Sequence, residues 1–203
     1  HMFIHGSRVL DGQIAYNKCG YIKLADYEKN DPVNGDSIDV SRAYSNTALT
    51  GVKIALDKVT AGDYIENDDG TIEAPDGRRP IAQVVLASER TDSGDPPTLL
   101  LNYESGDRFA ANDHIMTFGT PEVGSARALL FPSVFKAVVN NTVTSAGDEV
   151  GRASYAAIAN GVYFVTASSG GYFAYVPKQK IILEKYSDSP TYKIGLKITE
   201  TIV

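Results

Sequence analysis

Apolar and polar positions alternate with a period of two along much of the chain. Val52, Ile54 and Leu56 share one side of a predicted strand over residues 52–59. Tyr172, Ala174 and Val176 fall on one face of another, with Phe173 and Tyr175 on the other face. Near the end, Ile194, Leu196 and Ile198 oppose Lys193, Lys197 and Thr199. Such alternation predicts half-buried antiparallel strands rather than helices. Further strands are predicted over residues 7–11, 13–16, 21–24, 80–88, 98–103, 153–165, 180–183 and 192–203, with a turn at Asn160-Gly161 inside the 153–165 stretch. Residues 126–140 are the one candidate for a helix. Pro132 interrupts that stretch and β-branched residues are common in it, so its state stays open.

Turn signals divide the strands. Asp11-Gly12 reads as a hairpin turn, because glycine accepts a positive φ. Residues 30–35 form a polar loop, and Lys18-Cys19-Gly20 splits the second predicted strand from the third. A Gly-Asp-X-apolar pattern recurs at Gly35, Gly62, Gly106 and Gly147. Each copy fits a tight turn feeding a strand, with the apolar residue pointing inward. The irregular spacing excludes a solenoid repeat.

Composition agrees with this picture. The 203 residues are 43% hydrophobic, with 12 Tyr, 7 Phe and no Trp, and 18 Gly and 9 Pro supply frequent turns. The expected fold class is mainly β, built of small antiparallel barrel or sandwich units with a short connecting helix at most. Three blocks are expected: an N-terminal β-rich region at 3–79, a small β unit at 80–140 and a C-terminal β region at 141–203, with the polar, Gly-rich stretch 141–151 as a boundary.

Charge and motifs narrow the function classes. The net charge is −6, and no basic cluster exceeds Arg78-Arg79, so no nucleic-acid partner is expected. No apolar run reaches the ~18 residues of a membrane-spanning helix, and no membrane partner is expected. No signal peptide is expected either, and His1-Met2 reads as a cloning remnant. Cys19 is the single cysteine and reads as a small buried hydrophobe. Phosphate-binding, dinucleotide-binding, zinc-protease and serine-hydrolase motifs are absent. His5 and His114 are the only histidines besides His1, too few for a His-based triad or metal site. No catalytic residue, metal or cofactor is therefore expected. The acidic loop Glu66, Asp68 and Asp69 admits a calcium site or one half of a glycosidase pair. Its metal frame is incomplete, and a solvated turn with Gly70 in the left-handed conformation fits it better. Aromatic residues crowd the C-terminal part. Tyr155, Tyr163, Tyr172 and Tyr175 are the binding candidates, for a glycan or for protein contact, against ordinary strand packing. The sequon at Asn140-Asn141-Thr142 has no meaning without secretion.

Two stretches carry a family resemblance. One is Gly161-Val162-Tyr163-Phe164-Val165, then residues 171–177, and on through Gln179, Ile181-Ile182-Leu183, Tyr186-Ser187 and Pro190 to residues 192–200. The other is residues 95–103 followed by Ser105-Gly106 and Phe109. Together they resemble a domain of unknown function (DUF4815) of tail-fibre-like and other virion structural proteins of tailed phages, with residues 192–200 the most specific part. The resemblance covers roughly residues 80–203, and residues 3–79 match less clearly. It implies a non-enzymatic structural or attachment module of a phage tail, made in the host bacterial cytoplasm and incorporated in the virion. The implied partners are other tail or fibre proteins and further copies of the chain, trimeric by analogy with fibres. No catalytic residue carries over. Such domains continue past the last residues here, so a fragment of a larger protein is expected. Two alternatives stand beside this expectation: a binder of host glycan or receptor using the Tyr-rich surface, and a polysaccharide depolymerase with paired carboxylates near residues 66–69.

Overall fold

The structure is a computed structural model, and it describes residues 6–30, 37–39, 50–58, 63–88, 96–118, 136–139, 149–167 and 170–196. All regular structure among these residues is β. The strands are β1 (Gly6–Asp11), β2 (Ile14–Asn30), β3 (Ser37–Asp39), β4 (Lys53–Leu56), β5 (Ile65–Glu66), β6 (Ile72–Glu73) and β7 (Ile81–Ser88). They continue with β8 (Thr98–Tyr103), β9 (His114–Phe118), β10 (Lys136–Val139), β11 (Val150–Ile158), β12 (Gly161–Ala167), β13 (Gly170–Val176) and β14 (Gln179–Glu184). The expectation of a mainly β, antiparallel fold is met. The chain divides into two units, one of residues 19–153 and one of residues 1–18 with 154–203.

The 19–153 unit is a closed antiparallel barrel. Its strands pair in the order β2, β8, β7, β4, β9, β10, and β10 pairs back to β2. Alternation decides what faces inward. Ile22 and Leu24 of β2, Ile54 and Leu56 of β4, and Leu99 and Leu101 of β8 all join one buried cluster, each at spacing two. Ala137 and Val139 of β10 and Ile115 of β9 complete it. A barrel of six strands is narrow enough for side chains to fill. Strand β7 breaks the rule in an instructive way. Ala82 and Val84 point inward, and so does Ala87, a step of three. The register slips between Val84 and Leu86, where Val84 faces Leu101 and Leu86 faces Leu100. This bulge absorbs Val85 and resets the alternation. Val85, Leu86 and Leu100, on the opposite side of the sheet, are buried too, which is why β7 and β8 read as continuous apolar runs.

The second unit holds the three-stranded sheet β1-β12-β13 and the pairing of residues 154–158 of β11 with β14. Gly12 is its corner. It sits at φ 71°, in the left-handed region open to glycine. Its N–H donates to the Asn160 carbonyl (2.8 Å), and its own carbonyl accepts from the buried Tyr163 hydroxyl (2.6 Å). The Tyr163 ring lies so close that a Cβ on residue 12 would collide with it. Residues 187–188 are held by Ser154 Oγ on the Ser187 carbonyl (3.0 Å), by Lys18 on Asp188 (3.2 Å) and by the Tyr16 hydroxyl on the Asp188 carbonyl.

Several expectations are corrected. The Asp11-Gly12 turn exists, but β1 pairs with β12 and not with β2, so it closes no hairpin. The predicted break at Lys18-Cys19-Gly20 is absent, and β2 runs unbroken for 17 residues. The part of the helix candidate that is described, Lys136–Val139, is strand β10, and the rest of 126–140 lies outside the described residues. Residues 192–196 join no strand ladder despite their alternation, and residues 197–203 lie outside the described residues. In the Gly-Asp pattern Phe109 is buried as expected, whereas Ile65 is exposed and its neighbour Tyr64 packs on the core instead. Residue 79, where one block was expected to end, lies within the 19–153 unit, whose strand pairing joins segments far apart in sequence.

Candidate functional site

Two places in the described residues concentrate chemistry. The first is a polar knot among the loops of the barrel unit. Asp113 is buried, and its carboxylate accepts from Arg78 Nη1 (2.8 Å) and Nη2 (3.2 Å). It accepts further from the Tyr64 hydroxyl (3.1 Å) and the Ala110 N–H (2.7 Å). Arg78 also donates from Nε to Asp76 (2.6 Å) and from Nη1 to the Arg108 carbonyl (2.8 Å). Alongside it, the Arg79 N–H donates to Asp107 (2.9 Å) and the Ile81 N–H to Ser105 Oγ (3.1 Å). The loop before β7 is thus stitched to the loop before β9.

The electrostatics fit a fastening rather than a reactive centre. The hydrogen bonds to Asp113, ahead of those to Asp76, push the Arg78 guanidinium further into its charged form. The bond from Arg78 holds the Asp76 carboxyl below its usual range. Burial, then the charge of Asp113, raises Tyr64 to about 12. Two oxygens with four donors leave the Asp113 carboxylate little capacity for a further partner. Tyr103 stacks near Phe109 (5.9 Å between centroids) under the Arg108 guanidinium (4.1 Å), and burial raises its hydroxyl to about 12.

The second place is strand β13. Phe173 and Tyr175 share one face and are 68% and 65% exposed. Phe173 packs edge-on against Phe164 of β12 (5.5 Å, 64°). The four tyrosines expected to bind do not form one surface. Tyr155 and Tyr163 are buried, the first with the Lys180 ammonium 5.8 Å from its ring. Tyr172 and Tyr175 are exposed on opposite faces of β13. Phe173, not a tyrosine, is the most exposed ring of the strand, and the alternation of residues 172–176 already placed it beside Tyr175.

The acidic loop is a turn. Asp69 accepts from the Thr71 N–H (2.9 Å) and Oγ1 (2.6 Å), and these bonds lower its pKa. Gly70 has φ 80°, and Glu66 pairs with Lys58 (2.7 Å). His114 lies in β9, and His5 falls outside the described residues. Among the described residues no group of three or more His, Cys, Asp or Glu is placed to hold a metal ion. The described residues hold no helix, and so none long and apolar enough to cross a membrane, which says nothing of strands. Comparisons with protein-family models, with curated proteins and with solved structures found no match.

Arg78→Met leaves the buried Asp113 without its counter-charge, and because the Arg78 side chain is 24% exposed, water offsets part of the loss, which is expected to cost about 1–3 kcal/mol. Urea unfolding measures it, and a change below about 1 kcal/mol would show that water or a neighbour replaces the guanidinium. Stability also falls at alkaline pH. Burial raises Cys19 from 9.0 to about 11, and Tyr64 and Tyr103 from 10.0 to about 12. In each case the unfolded chain gives up its proton first. The contribution is therefore whole below pH 9 and is lost as pH rises toward 12. Urea midpoints that stay level from pH 8 to about 11 would contradict this linkage.

Proposed function

We propose that the chain is a non-enzymatic structural or attachment module of a bacteriophage tail, working through protein contacts in the virion. The observation that carries the reading is the exposed aromatic strand β13, where Phe173 and Tyr175 stand on a surface with no carboxylate or histidine in the strand. Exposed rings of this kind suit association more than chemistry. The strand lies inside the stretch 161–200 that carries the resemblance to virion structural proteins. The saturated Asp113 and the engaged Asp69 lend no support to a depolymerase reading, since neither is poised as a free acid or base.

One observation favours a second reading. Phe173 and Tyr175 on one face also suit stacking on a sugar ring, which would make the module a host-glycan binder. That reading requires Tyr175→Ala to abolish glycan binding while the fold persists.

The leading reading is tested by protein mass spectrometry of purified particles of the phage that encodes the chain. The expected result is peptides of residues 6–196 at a fixed ratio to the other tail proteins. Their absence from particles that are otherwise complete contradicts it.

A further inference from the structure

We infer that β13 is a self-complementary edge through which two copies of this chain pair about a two-fold axis. Among the described residues β13 is the end of its sheet, paired to β12 alone. Its register with β12 is unbroken over all seven residues, with no bulge to twist the edge away. The sequence Gly-Gly-Tyr-Phe-Ala-Tyr-Val carries no charge and no proline. Edge strands are ordinarily protected by one of these devices, because their unused N–H and C=O groups template another strand. Here none is present, and apolar rings flank the open edge on both faces.

The order of residue sizes selects the occupant. Antiparallel pairing of β13 with a second copy, centred on Phe173, sets Phe173 opposite Phe173. The same register sets Tyr172 opposite Ala174, Gly171 opposite Tyr175 and Gly170 opposite Val176. Each large side chain meets a small one, except at the centre, where two rings meet on the axis. Directly opposed residues share a face, so Tyr175 of the second copy lies on the face of the Phe164–Phe173 ring pair, against the Phe164 ring that already covers Gly171. Gly171 already admits the Phe164 ring, which a Cβ there would strike. An isologous contact of this kind closes after two copies. No like charges are brought together in it.

The contact is small. Two strand edges and the rings beside them fall short of the ~1,200 Å² buried by a standard interface. Association is therefore weak and concentration-dependent, and it strengthens where copies are already held close in an assembly. This inference stands apart from the virion reading: particle composition tests that one, and association in solution tests this one.

Sedimentation equilibrium of the 203-residue chain over about 10 µM to 1 mM gives the test. The wild type is expected to move from monomer to dimer. Phe173→Lys and Phe173→Glu each place like charges on the axis and are expected to stay monomeric. An equimolar mixture of the two is expected to dimerise, since the opposed charges then attract. Circular dichroism reports whether each variant is folded. Should a charged variant unfold, Phe173→Cys in a Cys19→Ala chain replaces it, and air oxidation is expected to cross-link it into dimers. A wild type that stays monomeric throughout overturns the inference. So does a folded Phe173→Lys that dimerises as well as wild type, a mixture that fails to dimerise, a Phe173→Cys chain that does not cross-link, or growth beyond dimers into open polymers.

Discussion

Closure of the barrel by the four residues of β10 is the constraint on which the larger unit depends. Lys136 and Ala137 face Met116 and Ile115 of β9 on one side and Glu28 and Tyr27 of β2 on the other. Without that double pairing, β2 and β9 would each present an open edge, and the inward faces of six strands would have no common centre. Closure is fastened from within the same neighbourhood. The Val139 N–H donates to the Asp113 carbonyl (2.8 Å), and the Asn112 N–H donates to the Val139 carbonyl (2.7 Å). The residue whose backbone holds β10 is thus the one whose carboxylate is gripped by Arg78. Removing the guanidinium is therefore felt beyond one ion pair.

The other unit manages its strands differently. Its three-stranded sheet is pinned at Gly12 and Asn160 and ends at β13. Aromatic side chains stand in solvent there, on the surface that the proposed association would cover. Residues 191–195 are also exposed, and 191–196 lie outside any ladder, although Tyr192 and Ile194 continue the strand-like alternation. Both features are understandable in a chain whose working state includes neighbours. Both lie in the stretch on which the proposed assembly role rests, which ties that proposal to particular residues rather than to fold class.

Much of the fold was legible in the sequence. Thr98–Tyr103 is a strand with the predicted bounds, and the strands β4, β7, β13 and β14 lie within a few residues of expectation. Alternation is a local property, and it survived. Pairing is not local. Nothing near Asp11-Gly12 says that β1 will join β12, about 150 residues away, so a turn signal was read as a hairpin. The apolar run around residues 136–139 fits helix and strand alike until β2 and β9 are known to lie beside it. The candidate site was less legible. Tyr163 and Tyr175 look alike in sequence, yet one is sealed over Gly12 and the other stands in water. Arg78 and Asp113 are 35 residues apart, and neither carries a local mark of the other.

Residue-resolved amide hydrogen exchange on the dilute chain reads the closed barrel and the open edge in one measurement. The amides of Lys136–Val139, enclosed between two neighbours, are expected to exchange slowly. Along Gly170–Val176 protection is expected to alternate, with amides turned toward β12 protected and those on the outer edge exchanging freely. Uniform protection along β13 in the dilute chain would contradict the open edge, and rapid exchange throughout β10 the closed barrel.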